Sequence, residues 1–186
     1  MEKKEVLLTL ARAFVSESVG IDLKVDREAI RAENPWLEAQ GACFVTLTEG
    51  EYALLRGCIG SIVAHRSLFD DLKHNAVSAA LHDPRFPPLT KREYPDITLE
   101  VSLLTPPEKI EYASPEALKG QVVPGKHGVI LKHGNYQSTY LPQVWEQLPE
   151  FEIFFSTLCQ KAGMPGHCLE LHPDVYLYEV EEYKED

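Results

Sequence analysis

Hydrophobic residues recur at helical spacing in three stretches of the chain, which predicts three amphipathic helices. The stretches are residues 6–19, 67–82 and 151–162. A glycine ends the first and the third, and Pro84 ends the second because proline cannot continue the helical hydrogen-bond ladder. Ser67 is the predicted N-cap of the second helix, and Asp70 and Asp71 favour the positive end of its dipole. A short fourth helix is predicted to start at Ser114.

Extended segments with alternating or continuous apolar residues lie between these helices and predict β-strands. The predicted strands are residues 42–48, 52–62, 96–105, 129–132, 136–141 and 175–180. Turns at Glu49-Gly50-Glu51 and His133-Gly134-Asn135 predict two β-hairpins. The acidic end of the chain, residues 179–186, is predicted to be a solvated terminus that helps solubility.

The order of these elements favours an α+β fold, a mostly antiparallel sheet with flanking helices, because helices and strands alternate without a regular βαβ rhythm. With 186 residues, the chain is predicted to form one domain over residues 1–186. Within this domain two lobes are expected. Proline-rich hinges are predicted at residues 84–88 and 106–107, and lobe junctions near residues 84–90 and 134–142.

The charge of the chain excludes two classes of partner. With 18 basic and 29 acidic side chains, the net charge is -11, which repels nucleic acid and anionic membrane surfaces alike. No stretch approaches the roughly 20 apolar residues of a membrane-spanning helix. The first residues lack the layout of a secretory signal, so we expect a cytoplasmic protein without nucleic-acid or membrane partners.

The cysteines lie at positions 43, 58, 159 and 168 and form no CxxC pair. In a cytoplasmic chain of this size we predict reduced thiols that pack mostly as small apolar residues, and no disulfide framework. His167, Cys168 and His172, with Cys159 nearby, match no standard zinc spacing, and a surface loop is the simpler interpretation. Neither a metal site nor a cofactor is therefore predicted.

The stretch Leu55-Arg56-Gly57-Cys58-Ile59-Gly60 is the main candidate for a functional site. In a regular strand, Arg56, Cys58 and Gly60 project to one face, and the two glycines mark a bulge or the close approach of a backbone or a ligand. Arginine beside a thiol lowers the pKa of the thiol, and its planar fork holds carboxylate or phosphate. The alternative is a packed Cys58 and an Arg56 paired with a carboxylate.

Further candidates for the same surface are Asp83, Arg85, Glu100 and Gln143. Asp83 and Arg85 either line a cleft with Arg56 or pair with each other at the end of the second helix. Glu100 lies on the polar side of its strand and either joins the site or forms a structural salt bridge with Arg56. Gln143 and nearby Trp145 suit ligand recognition, whereas core packing is the alternative role of the tryptophan.

The Leu55 to Gly60 stretch resembles the signature of the AMMECR domain family, whose bacterial and archaeal members are called AmmeMemoRadiSam system protein A. Further similar stretches follow in the family's order at residues 41–47, 83–89, 101–108, 140–149 and 159–165. The resemblance implies an α+β protein with a larger and a smaller lobe, and with the signature near the cleft between them. It also implies association with a Memo-like protein and with a radical S-adenosylmethionine enzyme, and it implies no settled reaction.

Two functions remain open on this basis. The first is an accessory component of the AmmeMemoRadiSam system that presents residues 55–60 to a partner protein or to a small anionic ligand. The alternative is an enzyme that uses Cys58 as a thiol nucleophile, with Arg56 binding an anionic group of the substrate. An accessible thiol of low pKa beside a base distinguishes the enzyme, and His65 lies too far along an extended strand to be that base.

Overall fold

A computed structural model describes residues 1–186 and shows a mixed α+β fold, so the predicted fold class is confirmed. The chain divides into two compact units, residues 1–104 with 181–186, and residues 105–180. Each unit contains one four-stranded sheet. None of the helices combines the length and the apolar character needed to span a bilayer.

The elements follow the predicted order closely. The helices are α1 (Lys3–Ser18), α2 (Arg27–Glu33), α3 (Leu68–Leu81), α4 (Pro115–Lys119) and α5 (Phe151–Lys161). The strands are β1 (Ala42–Glu49), β2 (Leu54–Gly60), β3 (Ile97–Leu104), β4 (Glu108–Ile110), β5 (Gly128–His133), β6 (Tyr136–Tyr140), β7 (Asp174–Tyr178) and β8 (Val180–Lys184). The pattern predicts neither α2, which buries no residue, nor β4, which has three residues.

The first unit contains a sheet in the order β2-β1-β3-β8, so β2 is an edge strand. Helix α3 packs on this sheet against β1, whose Cys43, Val45 and Leu47 are fully buried, and helix α1 packs on α3 and β3. Ser67 caps α3 as predicted, because its hydroxyl accepts the N–H of Asp70 at 3.1 Å. The helix therefore starts at a fixed point directly after β2.

The second unit contains a sheet in the order β4-β7-β5-β6. Helix α5 contributes Phe154 and Phe155 to the core of this unit. Trp145 stacks on Phe154 with a ring separation of 3.6 Å and donates its indole N–H to the carbonyl of His127 at 2.8 Å. Trp145 is thus a core residue, the structural alternative considered for it above.

The acidic end of the chain forms a strand that was not predicted, although Glu181, Glu182 and Asp186 are exposed to solvent as expected. Strand β8 pairs with β3 in the first sheet. The carboxylate of Glu185 pairs with Arg12 of α1 and accepts the N–H of Leu99 at 2.8 Å. Lys3 pairs with Glu181 in the same way. Basic residues of α1 offset the charge of the terminus, and composition alone cannot show that long-range pairing.

The prediction that all four cysteines are reduced is wrong for two of them. Cys159 and Cys168 form a disulfide with a Cα–Cα distance of 5.8 Å, while Cys43 and Cys58 are free. Gly163 ends α5 with φ of +87°, which turns the chain back toward the helix and brings the two cysteines together. With both sulfurs bonded to each other, neither provides a thiolate for the metal cluster considered above.

Candidate functional site

Strand β2 is irregular in the middle of the signature stretch. Leu47 of β1 lies opposite Gly57 while the next residue, Thr48, lies opposite Leu55, so Arg56 is the extra residue of a β-bulge. Cys58 lies opposite Thr46 in the regular part of the strand. The bulge breaks the alternation expected from an ideal strand, and Arg56 packs against residues 82–93, which we call the edge loop.

The two glycines of β2 are explained by close packing within the first unit. A Cβ atom at Gly57 would overlap the backbone carbonyl oxygen of Ala79 in α3. A Cβ atom at Gly60 would overlap the ring of Phe44, its partner residue on β1. Gly57 is therefore explained by the close approach of another backbone, which was one of the possibilities considered for these glycines.

Asp83 and Arg85 cover the centre of the β2 edge. The N–H of Cys58 donates to Asp83 Oδ2 at 2.9 Å, and Arg85 Nη2 donates to the carbonyl of Cys58 at 3.3 Å. Arg85 also pairs with Asp83 at 2.7 Å. The two side chains thus satisfy the outward backbone groups of Cys58 as a neighbouring strand would.

The Asp83 carboxylate is strongly stabilised in its charged form. The hydrogen bond from Arg85, followed by the backbone N–H groups of Cys58 and Arg85, lowers the pKa of Asp83 well below its usual range. Asp83 is buried, whereas the side chain of Arg85 is 54% exposed. The pair therefore presents its cation, not its anion, to solvent.

The half-buried thiol of Cys58 is not activated by its surroundings. Burial raises the pKa of Cys58, and this effect outweighs the hydrogen bond that the Thr46 hydroxyl donates to Sγ at 3.3 Å. Arg85 lowers the pKa, while Asp83 and Glu100 raise it. The environment consequently favours the neutral thiol over the nucleophilic thiolate at neutral pH.

The Arg56 side chain is buried, and its partner is Glu93 of the edge loop. Nε donates to Glu93 Oε1 at 3.1 Å, and Glu93 Oε2 accepts the N–H and the hydroxyl of Thr90 at 2.8 and 2.7 Å. Nη1 and Nη2 of Arg56 are buried without a hydrogen-bond partner. The ring of Phe86 lies 5.9 Å from Arg56 Cζ.

Sequence reasoning missed Glu93, although a local signal points to it. Thr90 and Glu93 hydrogen-bond reciprocally in the pattern of a capping box, Thr-x-x-Glu, which precedes the short helical turn Tyr94–Asp96. The salt bridge to Arg56 spans 37 residues, so no local pattern reveals it.

The structure places the other candidates in different surroundings. Glu100 lies on β3 opposite Thr46, and Ser102 donates to it at 3.5 Å. Burial and Glu182 raise the pKa of Glu100, and Glu93 instead of Glu100 forms the salt bridge with Arg56. Gln143 lies on the short helix Pro142–Glu146 of the second unit. Arg56, Cys58, Asp83 and Arg85 are thus gathered on β2 and the edge loop.

A buried polar network around Asp71 was not predicted as part of this region. Asp71 of α3 is fully buried and accepts the N–H of Cys43 at 2.9 Å and the hydroxyl of Ser61 at 2.7 Å. Asn75 donates to Asp71 at 3.0 Å, and Arg66 pairs with it at 3.3 Å. The network ties the residues that directly follow β2 to α3. The sequence signal for this network is the pair Asp71 and Asn75, two polar residues four positions apart on the apolar face of α3.

Glu93 makes the folding stability of the protein depend on pH in the acid range. The Thr90 hydroxyl and N–H, with Arg56, lower the pKa of Glu93 to about 2. This value lies below the unfolded value of about 4.3, so ionised Glu93 contributes stability above that pH and loses it as the pH falls toward 2. We expect Glu93→Gln to flatten the acid limb of the stability curve, measured by urea unfolding at a series of pH values.

The control for this titration is Glu33→Gln, which changes an exposed carboxylate of α2. This variant should retain the acid limb of the parent protein. An unchanged acid limb in Glu93→Gln would contradict the assigned role of Glu93.

Comparisons with known proteins agree on one family. The family model described as AMMECR1 matches residues 8–183. A protein of Methanosarcina mazei is 38% identical over 185 residues, which cover 97% of this chain and 85% of the relative. Protein MK0488 of Methanopyrus kandleri is 32% identical over 194 residues, and the match covers 100% of this chain and 90% of MK0488. The crystal structure of uncharacterized protein PH0010 from Pyrococcus horikoshii matches with a TM-score of 0.83 at 33% identity, over 98% of this chain and 91% of that one.

Proposed function

Because the chain belongs to the AMMECR1 family, we propose that it is a binding component of the AmmeMemoRadiSam system, and that it presents strand β2 to the Memo-like protein of that system. The resemblance of residues 55–60 to the family signature supports the choice of system. The radical S-adenosylmethionine enzyme is then a further member of the same assembly. The cytoplasm is the proposed place of action.

The observation that carries this proposal is the set of exposed apolar side chains on β2 and in the segments that flank it. Tyr52 is 85% exposed, Leu54 61%, Val63 54% and Leu55 41%. Single exposed hydrophobic residues are ordinary, but four within twelve residues, two on edge strand β2 and one on each side of it, suit a docking surface for another protein. We call these four residues the β2 patch.

Charge beside the β2 patch indicates the kind of segment that fits it. Arg85, Lys91 and Arg92 of the edge loop are exposed. The carboxylates of the loop, Asp83 and Glu93, are engaged with Arg85 and Arg56. Exposed apolar side chains on β2, together with exposed cations on the neighbouring edge loop, are complementary to a partner surface with apolar and acidic side chains.

The competing function, a thiol enzyme, has less support in the geometry. It requires a Cys58 thiol of low pKa. Burial shifts the pKa of Cys58 in the opposite direction, and the hydrogen bond to Sγ comes from a threonine hydroxyl. Binding through the β2 patch is therefore the function that we prefer.

The test is binding of the Memo-like protein from the same organism after Leu54→Glu with Leu55→Glu. Both side chains are exposed, so the double variant should fold while its affinity falls by about tenfold or more, as for central apolar contacts of interfaces. The measurement is titration calorimetry, with folding checked by circular dichroism.

The matched control is Ile153→Glu, which changes an apolar side chain of α5 with 46% exposure in the second unit. This variant should bind like the parent protein. Unchanged binding by the double variant, or an equal loss in the control, would refute the assignment of the β2 patch.

A further inference from the structure

The Arg56 guanidinium uses only a small part of its hydrogen-bonding capacity. Its side chain is 5% exposed, and Nε donates to Glu93, but Nη1 and Nη2 carry four further N–H groups without an acceptor. Buried polar groups are almost always satisfied, and leaving charged donors unpaired is costly. These two nitrogens are the buried side-chain nitrogen or oxygen atoms of the chain that have no hydrogen-bond partner in the fold.

The neighbouring carboxylates are not available to these nitrogens. Glu93 gives one oxygen to Arg56 Nε and the other to the N–H and the hydroxyl of Thr90. Asp83 is held by Arg85 and by the N–H of Cys58. The capping box at Thr90 therefore fixes Glu93 beside Nε, and leaves the buried Nη1–Nη2 edge of the guanidinium without an acceptor.

The shape and charge of the surroundings define the acceptor. Arg56 Cζ lies over the ring of Phe86, 5.9 Å from its centre, and in the guanidinium plane the Nη1–Nη2 edge is the part without a partner. Two parallel hydrogen bonds in this plane match a carboxylate or phosphate group. Counting Arg56 with the edge loop, four cations (Arg56, Arg85, Lys91 and Arg92) stand against two carboxylates, in a chain with net charge -11.

We infer that the Nη1–Nη2 edge of Arg56 binds the oxyanion group of a small molecule, a carboxylate or a phosphate, beneath Phe86 of the edge loop. This site uses none of the four side chains of the β2 patch, so the inference does not depend on the proposed partner. Phe86 is half-buried in a loop stiffened by Pro84, Pro87 and Pro88.

The experiment measures thermal unfolding in acetate, inorganic phosphate and chloride at constant ionic strength. We expect acetate or phosphate to raise the unfolding midpoint of the parent protein and chloride to leave it unchanged. Acetate alone identifies a carboxylate site, and phosphate alone a phosphate site. Arg56→Lys keeps the charge but loses the planar fork, and should weaken the apparent affinity by about tenfold or more.

The matched control is Arg31→Lys. Arg31 also donates through Nε to a glutamate, Glu38, and lies 4.5 Å from the ring of Phe69, but its Nη2 is satisfied by the same carboxylate. This variant should respond to anions like the parent protein. Because Arg56→Lys can be unstable, the parent protein is also titrated with ¹⁵N NMR of arginine Nε–H groups, in which the Arg56 signal should shift with acetate or phosphate.

Two results would overturn the inference. The first is an equal anion response in Arg56→Lys, which would place the anion elsewhere. The second is the absence of both stabilisation and an NMR shift in the parent protein, which would mean that water satisfies the two nitrogens.

Discussion

Replacing Gly57 by alanine is expected to destabilise the first unit by about 3 kcal/mol, at the upper end of the cost of overpacking. The new Cβ would overlap the carbonyl oxygen of Ala79, which belongs to the backbone of α3. A side chain in this position could rotate away, but a helical carbonyl moves only with its helix. The strand and α3 would have to separate, and the packing of α3 on β1 and β2 would loosen. Urea unfolding followed by circular dichroism measures the change.

Two other glycines provide the comparison for Gly57→Ala. Gly120 has φ of -68°, and the nearest atom to an added Cβ is 3.5 Å away, so Gly120→Ala should change stability by less than about 1 kcal/mol. At Gly60 the overlapping group is the ring of Phe44, a side chain that can move, so Gly60→Ala should cost less than Gly57→Ala. Equal stability of Gly57→Ala and Gly120→Ala would refute this account of the signature glycine.

Local sequence patterns were sufficient to predict most of the elements. Helix α3 shows why: Ser67 supplies the cap, Pro84 supplies the stop, and the apolar spacing between them lies within the helix itself. Strand β8 shows the opposite case. Glu181 of the strand pairs with Lys3, and Glu185 just after it pairs with Arg12 and with the backbone of β3. These partners are far away in the sequence, so a local pattern indicates only a charged tail.

The candidate site was predicted in part for the same reason. The signature stretch was located correctly on a strand, but the side-chain directions assumed a regular strand, and the bulge at Arg56 changes them. The close neighbour of Gly57 is Ala79, and the partner of Arg56 is Glu93, each more than twenty residues away. Such contacts depend on tertiary packing, which periodicity does not encode.

The structure divides the signature into residues that maintain the fold and residues that are available for binding. Gly57 and Gly60 permit close packing, whereas Leu55 is exposed and Arg56 keeps two unpaired nitrogens. Loss of binding after a change at Gly57 would therefore report unfolding as readily as a lost contact. Variants of exposed side chains, such as Leu54 and Leu55, separate the two effects.

Replacing Asp71 by asparagine is expected to destabilise the first unit by about 3 kcal/mol, the upper end of the cost of leaving a buried hydrogen-bonding group unsatisfied. The variant removes the charge and places an amide NH₂ among the donors that now point to the carboxylate, which are the N–H of Cys43, the hydroxyl of Ser61 and the amide of Asn75. Arg66, which pairs with Asp71, is 30% exposed and can turn toward water, so the cost arises mainly from the buried donors.

The neighbouring residue supplies the control for Asp71→Asn. Asp70 lies on the exposed side of the same turn and accepts a hydrogen bond from Ser67, so Asp70→Asn should cost less than about 1 kcal/mol. Both changes remove one negative charge from the first turn of α3, and their difference isolates the buried network. Urea unfolding midpoints that coincide for the two variants would show that Asp71 acts only through the helix dipole. A large difference would instead establish that the buried carboxylate holds the end of β2 against α3.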